Sequence, residues 1–378
     1  SSVQLFNFTG NLSSSPQLLF SIFIRNCHFH YTVLPRPFNE DLNHQWFVQL
    51  LHECSRVRSL DTTKSLHALT ITTGSSLPQP IFFNNNIISG YASLGELLFA
   101  RKVFDEMPQR NSVSYNTVIG AYSRHGNVDE AWKLFSEMRG CGFEPTQFTF
   151  GGLLSCDSLD LCRGFHLQAL IIKTGLLSAD AFAGTALLGL FGRHGCIDEA
   201  LQVFEDMPQK NLVTWNSMMS LFGHHGFAEE SITMFHELMR TGVAFSEYSF
   251  VGVLSGFVGE QDLESGEQIH GLVIKNGLDH VVSVANSVIN MYMKCSGPYT
   301  AEKMFEKVPV RDIVSWNIII GALTKSDRPD KALELFLKMY ANGVLPNQTT
   351  FVSVINSCTN LQIPIYGKFI HAKIIRNM

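Results

Sequence analysis

The stretch SYNTVIGAY at residues 114–122 returns as TWNSMMSLF at 214–222 and as SWNIIIGAL at 315–323, at offsets of 100 and 101 residues. Self-similarity at a fixed spacing constrains the fold more than any other feature, because every copy must build the same local unit. The period is itself composite. A second set of lines begins at Asn85 (NNIISGYASLGELLFARKVFDEMPQRN), Thr185 (TALLGLFGRHGCIDEALQVFEDMPQKN) and Asn286 (NSVINMYMKCSGPYTAEKMFEKVPVRD). A third set, FTFGGLL, YSFVGVL and TTFVSVI, starts at Phe148, Tyr248 and Thr349. End to end, the chain parses into units 44–80, 81–111, 112–146, 147–180, 181–211, 212–246, 247–281, 282–312, 313–347 and an incomplete 348–378. Their lengths cycle through about 35, 31 and 35 residues.

Each unit holds two helical patterns. In 112–146 the first places Tyr115, Val118, Ile119 and Tyr122 at i, i+3, i+4 and i+7, which is one apolar face. Gly126 follows where a left-handed helix end is expected, and Gly142 and Pro145 close a second helix built on Ala131, Leu134, Phe135 and Met138. One such hairpin cannot cover its own apolar faces, so neighbours must stack. The expected fold is all-α, an α-solenoid superhelix of stacked helical hairpins. A chain of 378 residues would ordinarily suggest two or three domains, but an array escapes that count. With 45% hydrophobic and only 16% charged residues, the chain has the apolar content of a folded protein.

Three further features bound the setting. The longest apolar run, LLFSIFI at 18–24, is far short of the roughly 20 residues that span a bilayer, so no membrane partner is expected. The eight cysteines include no CxxC pair, and Cys54, Cys156 and Cys358 recur in similar repeat contexts, as reduced structural thiols would. Residues 1–43 precede the array as an N-terminal extension. Its first 39 residues contain no Asp or Glu, are rich in Ser and Phe and carry Arg25 and Arg36, the composition of an organellar transit remnant.

On the first helix of each unit, positions 2, 5, 9 and 13 share a stripe distinct from the apolar one. In 112–146 it reads Val113, Asn116, Gly120 and Arg124. The fifth residues of the two polar unit families are Asn85, Asn116, Thr185, Asn216, Asn286 and Asn317, all short hydrogen-bonding side chains. In the third family the same place holds Gly151, Val251 and Val352. The last residues of the polar units are Asn111, Thr146, Asn211, Ser246, Asp312 and Asn347. Position 13 supplies Arg124, Arg193, Lys294 and Lys325, while position 2 supplies Phe82, Val113, Phe182, Val213 and Val314. Amides and hydroxyls can address base edges, cations can neutralise phosphates, and apolar side chains can wedge between bases, so the stripe suits single-stranded nucleic acid. The competing reading is that Asn and Thr cap helices and that Arg and Lys solvate a face. A mid-helix Asn costs helix propensity, however, and confinement to two of three families favours the binding reading. The net charge of −5 is compatible with it, because a solenoid can carry a basic stripe on one face.

The lines VSYNTVIGAYSRHGNVDEAWKLFSEMRGCGFEPT and ARKVFDEMPQRN, with their mixed unit lengths, resemble plant pentatricopeptide repeat proteins of the P-L-S class, over about residues 44–378. The resemblance implies binding of single-stranded organellar RNA in a mitochondrion or chloroplast. One base is read per unit, 5′ to 3′, by the fifth and last residues. Carried over, Asn85 with Asn111 implies C, Thr185 with Asn211 A, Asn286 with Asp312 U, and Asn317 with Asn347 C. Asn116 with Thr146 and Asn216 with Ser246 depart from the family rule at the last residue and imply a pyrimidine. The expected core is 5′-CYNAYNUC-3′, with N under the long units.

Relatives with this unit order commonly serve C-to-U editing through a zinc deaminase carried at the C-terminus or recruited in trans. The deaminase signature, His-x-Glu followed by Cys-x-x-Cys, does not occur in this sequence. HELMR at 236–240 lacks the second His of a zinc protease, and Gly367–Lys368 lacks the first Gly of a phosphate loop. No enzyme, cofactor or metal site is therefore expected. The chain stops inside a repeat, as a product truncated before any C-terminal E/DYW-type region would. The expected function is the specificity part of RNA editing, with a deaminase or editing accessory protein as a partner in trans. The alternatives are an organellar RNA stabilisation or splicing factor, or a protein-binding scaffold of the tetratricopeptide type, which would have uniform units.

Overall fold

The apolar stripes become helical hairpins. The computed structural model describes residues 60–73, 80–326, 328–362 and 367, and all regular structure among them is helical. The N-terminal extension, most of unit 44–80 and the second half of unit 348–378 lie outside the described residues. Packing divides the chain into two compact units, 1–167 and 168–378.

In the first unit, α1 (Leu60–Thr73) packs on α2 (Pro80–Ser93), which pairs with α3 (Leu97–Glu106). Next come α4 (Ser112–Arg124), paired with α5 (Val128–Gly140), then α6 (Gln147–Leu154) and α7 (Leu161–Lys173), within which the division falls. The first helices α2, α4 and α6 stack on one another in sequence, and α3 and α5 each bridge to the next of them. The second unit repeats the plan after the short α8 (Leu176–Ala179). Its first helices are α9 (Ala181–Arg193), α11 (Leu212–His224), α13 (Glu247–Ser255), α15 (Val282–Ser296), α17 (Ile313–Lys325) and α19 (Gln348–Asn360). Its second helices are α10 (Ile197–Asp206), α12 (Ala228–Thr241), α14 (Leu263–Lys275), α16 (Pro298–Lys307) and α18 (Pro329–Ala341). Again the first helices stack successively, α9 on α11 through α17 on α19. The expected α-solenoid of stacked hairpins is the observed architecture.

Local chemistry explains where helices stop. Gly126 and Gly226 close α4 and α11 with φ of 73° and 79°, a left-handed turn that a side chain would strain. Side chains facing inward are buried: Tyr115, Val118, Ile119, Leu134, Phe135 and Met138 are at most 1% exposed.

The second helix of a short unit meets the first helix of the next through a repeated aromatic joint. Phe104 lies edge-on to Tyr115 at 5.0 Å, Phe204 to Trp215 at 4.9 Å and Phe305 to Trp316 at 4.9 Å. Each phenyl ring is capped by a cation, Arg110 at 4.6 Å, Lys210 at 4.9 Å and Arg311 at 4.7 Å from the ring centre. The same cations satisfy carbonyls near the end of the preceding helix. Arg110 donates to Phe104 O and Asp105 O, Arg311 to Phe305 O and Glu306 O, and Lys210 to Met207 O. This clip sets the register between consecutive units, and therefore the distance between the fifth residue of one and the start of the next.

Candidate nucleic-acid interface

The last residue of each polar unit is also the N-cap of the helix that follows: Asn111 for α4, Thr146 for α6, Asn211 for α11, Ser246 for α13, Asp312 for α17 and Asn347 for α19. A helix leaves its first N–H groups without partners, and an N-cap oxygen satisfies one of them. Asn111 Oδ1 accepts the Ser114 N–H at 3.0 Å, Asn211 Oδ1 that of Thr214 at 2.9 Å, Asp312 Oδ1 that of Ser315 at 2.8 Å and Asn347 Oδ1 that of Thr350 at 3.1 Å. Capping and binding were opposed in the sequence. In the structure Asn111, Asn211, Asp312 and Asn347 do cap, each with one side-chain oxygen, which leaves the other polar atom of the same side chain for a further contact.

Four of the six fifth residues reach the cap at the end of their own unit. Asn116 Nδ2 donates to Thr146 Oγ1 at 3.1 Å, Asn216 Nδ2 to Ser246 Oγ at 3.1 Å, Asn286 Nδ2 to Asp312 Oδ1 at 3.2 Å and Asn317 Nδ2 to Asn347 Oδ1 at 3.1 Å. Thr185 is joined to Asn211 through an intermediary. Its Oγ1 shares a 2.9 Å hydrogen bond with Thr214 Oγ1, which donates to Asn211 Oδ1 at 3.0 Å. Asn85 stands apart, with its Oδ1 buried and without a hydrogen-bond partner.

Where the cap is Asn or Asp, the direction of this network is set at the helix end. A backbone N–H can only donate, so the side chain that caps it must present an oxygen. The outward atom of an Asn cap is then Nδ2, a donor, and that of an Asp cap is its second oxygen, an acceptor. At Asp312 burial pushes the carboxyl pKa up. Hydrogen bonds from the Ser315 N–H, Asn286 Nδ2, the Ser315 hydroxyl and the Val314 N–H outweigh that and hold it below its ordinary value, so the acceptor is charged at neutral pH.

The sequence reading missed the third residue of the following unit. Thr149, Ser249, Ser315 and Thr350 donate their hydroxyls to Oδ1 of Asn116, Asn216, Asn286 and Asn317 at 2.5, 2.8, 2.6 and 2.6 Å. The signal was in the quoted lines, as Ser315 in SWNIIIGAL and as the Ser or Thr just before the phenylalanine of FTFGGLL, YSFVGVL and TTFVSVI.

The remaining stripe residues fall as follows. Val113, Phe182, Val213 and Val314 are 56, 47, 59 and 49% exposed, whereas Phe82 is half-buried against Phe83. Arg124, Arg193, Lys294 and Lys325 are exposed in the last turns of α4, α9, α15 and α17. Gly120 was read as part of the open stripe but is buried. A Cβ at Gly120 would meet Arg124 Nη1 at 3.3 Å, so the guanidinium folds over it.

Among the described residues no group of three or more His, Cys, Asp or Glu is placed to hold a metal ion, and no helix is long and apolar enough to cross a membrane. Cys156 and Cys358 are free and buried, while Cys54 lies outside the described residues.

An array of hairpins of this kind, with paired polar residues at the fifth and last positions, defines a helical-repeat protein, and the chain belongs to the plant pentatricopeptide repeat proteins. The family model for the PPR repeat matches residues 85–112, 185–212 and 213–243, and the PPR repeat family model matches 110–156 and 311–360. The chain is 51% identical over 330 residues to the pentatricopeptide repeat-containing protein At3g58590 of Arabidopsis thaliana, covering 87% of this chain and 44% of that protein. It is 33% identical to At1g11290, chloroplastic, of the same plant, over 88% of this chain and 41% of the relative. It thus spans less than half the length of these relatives. Among solved structures, the pentatricopeptide repeat protein PPR10 in complex with an 18-nt psaJ RNA element superposes with a TM-score of 0.65 at 17% identity, over 93% of this chain and 56% of that one.

Proposed function

We propose that the chain binds single-stranded RNA sequence-specifically in a plant organelle, one base per unit, and is the specificity part of C-to-U editing. The hydrogen-bonded pairing of fifth and last residues carries this reading. Each Asn or Asp cap presents one outward polar atom whose sign is fixed from behind. An outward Nδ2 at Asn111, Asn211 and Asn347 suits the unprotonated ring nitrogen of C or A, and an outward carboxylate oxygen at Asp312 suits the N3–H of U. The hydroxyl caps Thr146 and Ser246 can donate or accept, which fits the looser assignment of a pyrimidine to their units. The proposed core is 5′-CYNAYNUC-3′, with unit order of the P-L-S class and no edge recognition under units that place Gly151 or Val251 fifth.

Val113, Phe182, Val213, Val314 and the half-buried Phe82 would separate successive bases, and Arg124, Arg193, Lys294 and Lys325 would meet phosphates. The role is binding without catalysis, and any deamination would come from a partner in trans. PPR10, with the same fold, was crystallised with an RNA element, and relatives are named both chloroplastic and mitochondrial, which supports an organellar RNA ligand. The test is selection of RNA from a random pool by the 378-residue chain, with sequencing of what is retained. Enrichment of CYNAYNUC is the expected result. Retention without that core would sink the base assignments, and no retention would favour a protein-binding scaffold.

A further inference from the structure

Every unit with a hydrogen-bonding fifth residue is followed by a unit whose third residue is Ser or Thr. Ser114 follows Asn85, Thr149 follows Asn116, Thr214 follows Thr185, Ser249 follows Asn216, Ser315 follows Asn286 and Thr350 follows Asn317. Where the fifth residue is Gly151 or Val251, the next unit instead places Ala183 or Val284 third. The hydroxyl therefore goes with the side chain one unit back. Helix capping alone does not require it, because α9 has a polar N-cap, Asp180, and Ala183 at the third position. All six hydroxyl residues are 0% exposed, so none of them can touch a ligand directly.

Proton accounting gives these buried hydroxyls a direction. Thr149, Ser249, Ser315 and Thr350 accept the backbone N–H of the preceding residue 146, 246, 312 or 347 at 2.9 to 3.2 Å. A hydroxyl has one proton, and at each of these sites the shortest bond leads to the Oδ1 of the fifth-place Asn; the cap Oδ1 is a second acceptor, farther off, at 2.9 Å from Ser315 and 3.0 Å from Thr350. That Asn amide is then held at both ends, Oδ1 by the hydroxyl and Nδ2 by the cap. One Nδ2 proton and one Oδ1 lone pair remain, in a fixed order along the edge offered outward.

Resting on the base-reading function proposed above, we infer that Thr149, Ser249, Ser315 and Thr350 are positioning residues whose hydroxyls fix the amide orientation of the preceding unit's reader. The dependence is unequal. At Asn286 the cap oxygen is already pinned as an acceptor by the Ser315 N–H, so a flipped amide would set oxygen against oxygen even without the hydroxyl. At Asn216 the cap is the Ser246 hydroxyl, which could donate to a flipped amide as readily as it accepts from the present one. Ser249 is then the group that decides the orientation.

The experiment compares Ser249→Ala and Ser315→Ala in the whole chain, by competition among RNAs that differ from the core at a single base. Ser249→Ala should lose about tenfold of pyrimidine preference at the fifth base, the worth of one hydrogen bond. Ser315→Ala should lose at most about threefold of U preference at the seventh. Ser249→Thr, which places there the residue found at Thr149, should restore the preference. A purely structural role would lower the melting temperature and weaken all four bases equally, and that result overturns the inference, as does equal loss at the two sites. If the unaltered chain shows no preference at the fifth or seventh base, the base-reading function itself fails. Retained preference in Ser249→Ala alongside normal preference in the parent rejects only the positioning role.

Discussion

At the scale of single residues, Asp312 is the sharpest test of the reading. Asp312→Asn keeps an oxygen for the Ser315 N–H, because that donor still demands one, and replaces the outward acceptor with an amide donor. The seventh base should move from U towards C by about tenfold, within the roughly 1–3 kcal/mol that one base-edge pairing supplies. Competition between core RNAs with U or C at that base measures it, and an unchanged preference would remove Asp312 from the site. The same carboxyl makes a pH prediction. Its folded pKa is depressed, so the stabilisation it gives is fully present above its ordinary value and is lost as pH falls through the lowered one. The U preference should therefore persist from neutral pH down through the ordinary carboxylate range and fail only below it. Loss of the preference at mildly acidic pH would mean that some other group carries it.

At the scale of helices, the site depends on register, and register depends on the aromatic joints. Phe204 is 3% exposed, meets Trp215 edge-on at 4.9 Å and is covered by Lys210. Phe204→Ala should cost about 3–5 kcal/mol through the cavity it leaves. Lys210→Ala, which removes a partly exposed cation–π contact and the hydrogen bond to Met207 O, should cost about 1–2 kcal/mol. Denaturant unfolding gives both magnitudes. Because a repeat contacts only its neighbours, hydrogen exchange in Phe204→Ala should rise in α10 and α11 and leave α17 and α18 unchanged. Uniform acceleration across the chain would show the array to be one cooperative block. These elements also show what the sequence made legible. The hairpins were readable because apolar side chains recur at helical spacing and glycines such as Gly126 mark the turns. The stripe of fifth and last residues was readable because its polar character recurs. Their bonding was not, since Asn116 meets Thr146 across 30 residues and only after two consecutive first helices have stacked. The buried hydroxyls were hidden for the opposite reason. Ser and Thr near a helix start look like local capping, and nothing in spacing alone shows that Thr149 donates backwards to Asn116.

At the scale of the whole molecule, electrostatics separates a tracked backbone from a merely sticky surface. The chain carries a net charge of −5, so no general attraction to a polyanion arises from its total, and any electrostatic attraction to the RNA backbone has to come from placed cations. The first compact unit contributes Arg124 and the second Arg193, Lys294 and Lys325, each exposed at the end of a first helix. If each neutralises one phosphate, the slope of log affinity against log salt should be about −3, from roughly −0.7 per contact on a single strand. Lys294→Ala should reduce that slope by about 0.7 and weaken the core RNA and a scrambled RNA by the same factor, since a phosphate contact carries no base information. Asp312→Asn should do the reverse, changing preference at one base while leaving the slope within about 0.7 of the parent. Filter binding over a salt series with both variants separates the two classes of contact. A slope near zero would take the four cations out of the interface, and a Lys294→Ala effect confined to one sequence would mean that this lysine touches a base.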